Sequence, residues 1–292
     1  MPITCLPDCP APAKLNLFLH VVGRRSDGYH LLQSAFQLID RADMLHFALR
    51  DDVEICRTSD LPGVPAQTDL VIRAAHLLRR TSSKTLPGVD IAVDKRLPMG
   101  GGLGGGSSDA ATTLIALNHL WETGLTRSEL MALGLQLGAD VPFFLFGRNA
   151  FVEGIGESLA PLETPDCWYV VIEPGISVPT AAIFGATELT RNTNPVRITD
   201  FSKGLIGSNA GFGKNDLQSV AATRFLEIAR AIEWLTQYGE ARMTGSGSCV
   251  FCALTGERQA DDVLIGLPKG WGWTGWKARS LQQHPLAELL PD

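Results

Sequence analysis

Residues 98–111 read Pro-Met-Gly-Gly-Gly-Leu-Gly-Gly-Gly-Ser-Ser-Asp-Ala-Ala, six glycines in seven positions followed by two hydroxyls and an acid, opening directly onto a helical pattern. Glycines admit positive φ angles that turn successive amide N–H groups into one concavity, and they leave no Cβ atoms between the backbone and an anion. Residues 110–120 are rich in Ala, Leu and Thr, with Leu114, Leu117 and Leu120 at helical spacing. A helix is therefore expected to start between Ser107 and Asp109, its positive end facing the loop. Residues 88–94 alternate as a strand feeding the loop, so strand, glycine loop and helix form a candidate phosphate cradle in a mixed α/β chain.

Three familiar phosphate motifs do not fit these letters. A Walker loop needs Gly-Lys-Ser or Gly-Lys-Thr, and the one Gly-Lys pair, Gly213 and Lys214, is followed by Asn215. Gly100, Gly102 and Gly105 satisfy Gly-x-Gly-x-x-Gly, but Pro98 stands just before them and Ser-Ser-Asp occupies positions that a dinucleotide fold would already have made helical. The protein-kinase set is missing too, since neither His-Arg-Asp nor Asp-Phe-Gly occurs.

The pattern that remains resembles the second motif of the galactokinase, homoserine kinase, mevalonate kinase and phosphomevalonate kinase superfamily. Residues 12–19 (Pro-Ala-Lys-Leu-Asn-Leu-Phe-Leu) are similar to its first motif and residues 244–251 (Thr-Gly-Ser-Gly-Ser-Cys-Val-Phe) to its third, in the same order. Residues 25–30 (Arg-Ser-Asp-Gly-Tyr-His), 94–108 and 137–142 (Leu-Gly-Ala-Asp-Val-Pro) resemble the branch whose acceptor is a cytidine diphosphate derivative of a sugar alcohol. The resemblance implies a two-domain small-molecule kinase of the α/β (α+β) class. Residues 1–160 would be an N-terminal ATP-binding α/β domain and 161–292 a C-terminal ferredoxin-like domain, with the active site between them. From composition and turn signals alone, only a linker near 161–165 (Pro-Leu-Glu-Thr-Pro) is readable.

Composition sets independent bounds. A chain of 292 residues that is 45% hydrophobic can bury a substantial core and is near the size at which cores divide. Its net charge of −6 is spread without a basic run, which argues against a nucleic-acid surface and for small-molecule partners. No secretory or transit signal is visible, and Asp140 and Pro142 interrupt the most apolar region before it reaches membrane-spanning length. A cytoplasmic protein is expected. Cys249 and Cys252 have ligand-like spacing, yet positions three apart in a strand face opposite sides, so reduced buried thiols are the favoured reading over zinc. The first ten residues, with Cys5 and Cys9, read as a loose leader.

Polarity alternates over residues 13–22, placing Leu15, Leu17, Leu19 and Val21 on one strand face and Lys14, Asn16, Phe18 and His20 on the other. Alone, Lys14 is equally a guard on an exposed strand edge. The resemblance implies instead that Lys14 lies beside the reacting hydroxyl and that Asn16 orients the substrate. Asp140 follows a helix-ending glycine and borders an apolar cluster, 141–146; alone it reads as a turn or helix cap. The resemblance makes it the general base facing Lys14. ATP and Mg²⁺ are implied as well, with the nucleotide held by Lys95, Pro98, Met99, Gly100, Gly101, Gly102, Leu103, Gly104, Gly105, Gly106, Ser107 and Ser108. Lys95 would touch the adenosine and Ser108 is the candidate Mg²⁺ contact. For Ser107, Ser108 and Asp109 the alternative is plain helix capping.

Substrate choice is implied to rest on Tyr29 and Phe184 stacking on a cytosine, with His30 at its edge and Thr180 nearby; as bare residues these are ordinary aromatics and a structural histidine. Thr244 and Gly245 are open between contacting substrate phosphate and a structural turn. Asp69 stands where the family pattern has asparagine, adding an anion near the expected adenosine pocket. Residues 199–214, rich in Gly, Ser and Asn, do not align securely with the family pattern, and Asn215-Asp216 reads as a helix start. The expected reaction moves the γ-phosphate of ATP to the 2-hydroxyl of that cytidine diphosphate alcohol, within the non-mevalonate route to isoprenoid precursors. A sister kinase acting on homoserine or mevalonate, a nicotinamide oxidoreductase and a non-catalytic nucleotide sensor are the alternatives.

Overall fold

A computed structural model describes residues 3–201 and 213–291. Two long strands, β1 (Cys5–Arg24) and β2 (His30–Arg50), pair antiparallel along nearly their whole length and form the spine of the molecule. The turn between them closes through the Arg25 N–H on the Tyr29 carbonyl, 2.7 Å. Along its other edge β2 pairs in succession with β5 (Ala150–Gly154), β10 (Thr274–Leu281) and β4 (Gly88–Asp94). β3 (Ile55–Arg57) and β6 (Ser158–Pro161) extend the sheet at β4 and β5.

Four helices complete the first half: α1 (Leu70–Arg79), α2 (Gly105–Leu120), α3 (Arg127–Leu137) and α4 (Val141–Phe146). α2 packs against β1 and is enclosed by α1, α3 and α4. Its sequence suits that position. Ala110, Ala111, Leu114, Ile115 and Leu117 are fully buried, and a helix surrounded by protein needs no polar stripe. Each of its large aliphatic side chains contributes about 1.5–3 kcal/mol through burial. A capping box between Thr126 and Glu129, a pattern local to the sequence, starts α3.

In the second half, β7 (Trp168–Glu173), β8 (Ala241–Met243), β9 (Val250–Leu254) and β10 lie in the order β10-β7-β9-β8, all antiparallel. α7 (Leu226–Leu235) falls between β7 and β8, and α8 (Glu257–Ile265) between β9 and β10, which is the βαββαβ connectivity of a ferredoxin-like sandwich. Short helices α5 (Thr180–Phe184) and α6 (Gln218–Arg224) are inserted before α7. The halves are joined rather than strung apart. β10 pairs with β2 at Ser280 and Leu281, Leu19 and Val21 of β1 pack in the second hydrophobic cluster, and Leu290 returns to the first.

The structure corrects four expectations. The residues read as a leader are strand: Cys5, Leu6 and Cys9 pair with Ala48, Phe47 and Leu45. A bulge at Leu17 breaks the alternation read along β1, because the register passes from Asn16 opposite Phe36 to Phe18 opposite Ala35. One extra residue flips every side chain after it, so Leu19 shares the cleft face with Lys14 and Asn16, while Phe18 turns to the other face. α2 starts at Gly105, two residues before the expected window, since Gly104 in the left-handed conformation takes the cap position without any side-chain bond; the capping role considered for Ser107, Ser108 and Asp109 is therefore absent. Asn215 does bond the Leu217 N–H, but Asn215 and Asp216 are buried and do more than start a helix.

Cys249 and Cys252 do lie on opposite sides, in separate hydrophobic clusters, where burial pushes both thiols up, Cys252 to about 11. Among the described residues no helix is long and apolar enough to cross a membrane. Residues 202–212, most of the unaligned segment, lie outside the described residues.

Candidate functional site

A cavity of about 570 Å³ opens between the two halves, lined by β1, β2, the glycine loop, the start of α4, α5 and the third motif. Lys14 projects into it from β1 with only 4% of its side chain exposed, which removes the strand-edge alternative. Its ammonium donates to Asn16 Oδ1 at 2.6 Å, stands 3.6 Å from Asp140 Oδ2 and lies 4.6 Å from the centre of the Phe36 ring. Burial lowers the Lys14 pKa, and the Asp140 charge pulls it back toward its ordinary value. Asp140 occupies the cap position of α4 but makes no capping bond, so its carboxylate is left facing Lys14 and the cavity. Asn16 is oriented on its other side by donating from Nδ2 to Ser34 Oγ, 3.0 Å.

The glycine loop is shaped by the protein packed around it. At Gly102, whose φ is +77°, an added Cβ would lie 2.2 Å from the Thr244 carbonyl oxygen, and at Gly104 it would press on Phe144 and the Lys14 stem at 3.0–3.2 Å. Those two positions are glycine because the third motif and Lys14 pass directly against the loop. Thr244, fully buried, is the knot between all three motifs: its hydroxyl accepts from the Asn16 N–H at 3.1 Å and lies 3.3 Å from Asn16 Oδ1 and 3.2 Å from the Gly102 carbonyl, to one of which it donates. This is the structural alternative left open for Thr244, whereas Gly245 lines the cavity. Asn215 donates to the Met243 and Gly245 carbonyls at 2.7 and 2.8 Å and holds that turn in place. Gly100, Gly102, Gly104 and Ser107 also line the cavity; Leu103 is buried in the core, and Met99 is 63% exposed.

Ser108 and Asp109 point inward, and Ser108 Oγ and Asp109 Oδ1 are buried without a hydrogen-bond partner. Asp109 Oδ2 accepts from Lys95 Nζ at 2.8 Å, and the same ammonium bonds the fully buried Asp43. Asp43 also accepts from the Arg96 and Leu97 N–H groups at 2.6 and 2.7 Å, which fixes the approach of the chain to the loop. One ammonium thus faces two enclosed carboxylates. Burial pushes the Asp109 carboxyl up to about 7 against the pull of Lys95, with the Asp43 charge adding to the rise. Lys95, the residue expected at the adenosine, is therefore tied into this cluster. Asp69 is neutralised internally: it caps α1 through the Val71 N–H, 2.9 Å, and pairs with Arg57 at 2.7 Å, both side chains nearly buried.

At the far end of the cavity the His30 and Phe184 rings lie 5.1 Å apart at 35°, and Tyr29 is 61% exposed across the opening. Thr180 Oγ1 is 2.7 Å from Ser246 Oγ, linking α5 to the third motif. The structure thus gathers Lys14, Asn16, Tyr29, His30, Asp140, Thr180, Phe184 and Gly245 around one cavity. Sequence reasoning missed Ser34, Phe36, Leu217 and Ser246, which line it too. Ser246 belonged to a motif already quoted; the others carry no local signal and face the cavity through strand register or helix packing.

The GHMP kinases N terminal domain model matches residues 69–148 and the GHMP kinases C terminal model residues 201–271. The chain is 68% identical over 285 residues to the 4-diphosphocytidyl-2-C-methyl-D-erythritol kinase of Janthinobacterium sp. (strain Marseille), covering 96% of each chain. To the protein of the same name from Herminiimonas arsenicoxydans it is 65% identical, covering 98% of this chain and 99% of the relative. A crystal structure of 4-(cytidine 5'-diphospho)-2C-methyl-D-erythritol kinase superposes with a TM-score of 0.81 at 35% identity, covering 93% of this chain and 98% of that one. Homoserine kinase from Cytophaga hutchinsonii, at 16% identity and a TM-score of 0.72, shares the fold. With its three motifs meeting around one cleft, its ferredoxin-like half and relatives this similar over nearly their full length, the chain belongs to the GHMP kinases and, among them, to the 4-diphosphocytidyl-2-C-methyl-D-erythritol kinase family.

Proposed function

We propose that the protein transfers the γ-phosphate of ATP to the 2-hydroxyl of 4-diphosphocytidyl-2-C-methyl-D-erythritol, giving the 2-phosphate and ADP, in the cytoplasmic non-mevalonate route to isoprenoid precursors. The observation that carries this reading is the buried Lys14 facing the half-buried Asp140 at 3.6 Å, in one cavity with the glycine loop at one end and the His30–Phe184 ring contact at the other. A cytosine seated between Tyr29 and Phe184 would place its diphosphate-linked alcohol toward Lys14. Asp140 then accepts the hydroxyl proton as the oxygen forms its bond to the γ-phosphorus and the bond to the β-phosphate bridging oxygen breaks. Lys14 offsets the negative charge that develops between them.

The loop amides and the positive end of α2 hold the β- and γ-phosphates, and most of the rate enhancement comes from that placement. Among the described residues no group of three or more His, Cys, Asp or Glu side chains is arranged to hold a metal. The site accordingly fits a Mg²⁺ ion carried chiefly by the nucleotide's own phosphate oxygens and water, with Asp140 and the Ser107 hydroxyl as the nearby protein oxygens. Bound there, the ion would neutralise charge on the phosphates. Ser108 is less suited, because its hydroxyl is enclosed in the core.

The test is ADP release from Mg²⁺-ATP with and without the cytidine acceptor. Acceptor-dependent ADP is expected, and so is competition by CDP, which homoserine or mevalonate kinases have no reason to show. Equal ADP in both reactions, or turnover of homoserine or mevalonate instead, would overturn the assignment.

A further inference from the structure

Arg191, in the loop after α5, is not among the residues that line the cavity, yet its guanidinium is bonded to what does. Nη1 donates to the Leu189 carbonyl at 3.1 Å, and Nη2 donates to the Phe184 and Ala186 carbonyls at 3.0 and 2.6 Å. With the fork anchored on the backbone that carries Phe184, the remaining Nε–H is directed at His30 Nε2, 3.0 Å away. Arginine has no acceptor and does not lose its proton, so this bond has one possible sense. His30 Nε2 accepts; in the neutral ring the hydrogen must then sit on Nδ1. The charged groups acting on this imidazole are Arg191 and, from the end of β1, Arg24; burial and then these two cations lower the His30 pKa, which favours the neutral ring.

We propose that Arg191 is a positioning residue that locks His30 in its Nδ1–H tautomer, so that a donor is presented to the edge of a pyrimidine resting on Phe184. That donor selects cytosine, whose ring N3 is an acceptor, over uracil, whose N3 carries a hydrogen. The inference rests on the reading that the cavity takes the cytosine of the acceptor. It assigns to Arg191 a role through His30 and Phe184 together: one guanidinium sets both the tautomer and the backbone of the stacking ring.

The tautomer is measured in the free full-length protein by nitrogen NMR of labelled histidine, and affinity with CDP and UDP as probes. Wild type is expected to show His30 with a protonated Nδ1 and a bare Nε2, and Arg191→Met to lose that signature. CDP should bind about tenfold more weakly to Arg191→Met, the size of one misplaced neutral hydrogen bond, with ATP affinity unchanged and the preference for CDP over UDP reduced. Acidification through the His30 pKa protonates both nitrogens and recreates the Nδ1 donor. The ratio of variant to wild-type CDP affinity should therefore recover as pH falls from about 8 to about 5.5, around the ordinary histidine value. A purely structural defect would leave that ratio constant. In a His30→Asn background, where no ring tautomer remains to be set, Arg191→Met should cost less CDP affinity than it does in wild type, the remainder being the part carried by the Phe184 backbone. A retained Nδ1–H signal in Arg191→Met, a pH-independent loss of CDP, or an undiminished effect in the His30→Asn background would each overturn the proposal. Failure of wild type to bind CDP would instead sink the cytosine reading, and the selection with it, whatever the tautomer measurement gives.

Discussion

Gly102→Ala tests the claim that the glycine loop is shaped by the third motif as much as by a ligand. The new methyl would lie 2.2 Å from the Thr244 carbonyl oxygen, 3.0 Å from its carbon and 3.2 Å from the Gly247 carbonyl oxygen, all backbone atoms. None of these can swing aside as a side-chain tip would. A left-handed φ costs an alanine about 1–2 kcal/mol and overpacking roughly another 1–3, so the variant should lose roughly 2–5 kcal/mol. For a chain of this size that lowers Tm by roughly 4–15 °C. Gly106→Ala is the matched control: its φ is not positive, its nearest neighbour would be Leu70 Cδ1 at 3.7 Å, and it lies inside the first turn of α2. There alanine should hold or raise Tm, by about 0.4–1 kcal/mol of stability, while its methyl weakens ATP binding if the helix start cradles the phosphates. Thermal melts and ATP titrations of both variants decide the matter. If Gly102→Ala melts within about 2 °C of wild type, or Gly106→Ala is the less stable of the two, the packing argument is wrong.

Three further outcomes are expected. Asp140→Asn should leave ATP affinity nearly unchanged and lower kcat by about 10²- to 10⁴-fold, the usual contribution of a positioned base; unchanged turnover would refute the role. Phe184→Ala should raise KM for the cytidine acceptor more than KM for ATP, and equal rises would count against a stacking ring. Asp109 supplies the pH prediction. Its carboxyl is held at about 7 in the folded protein against 3.8 for the free side chain, so between those values the native state binds the extra proton. Its contribution to stability is full below about 4, declines as pH rises and is lost above about 7. In Asp109→Asn that part of the slope should vanish from denaturant midpoints measured across the window, and identical slopes in the two proteins would dismiss it.

How much of this was legible in the letters differs from element to element. The loop and the helix after it were, because a glycine run marks a backbone free to turn and the residues beyond it repeat at helical spacing, although the helix also takes in Gly105 and Gly106. β4 lies at Gly88–Asp94 as read, and the Thr126–Glu129 capping box starts α3, since both are local signals. Lys14, Asn16 and Asp140 could be named through motif resemblance, although nothing in residues 13–22 alone separates a buried, cavity-lining lysine from one on an exposed edge.

What the sequence by itself determined is therefore local: where the glycine loop interrupts the chain, which helix follows it, where its neighbours start, and which motifs are present and in what order. Tertiary structure decided the rest, and the reason is distance along the chain. The bulge at Leu17 that turns Leu19 into the cleft exists only because β2 lies opposite and sets the register. Asp69 gives its charge to Arg57, Lys95 is claimed by Asp43, and Arg191 meets His30 from 161 residues away, each a pairing between segments that no periodicity connects. Burial then sets the chemistry, because a charge or a ring nitrogen taken out of water acquires the proton its enclosed neighbours impose.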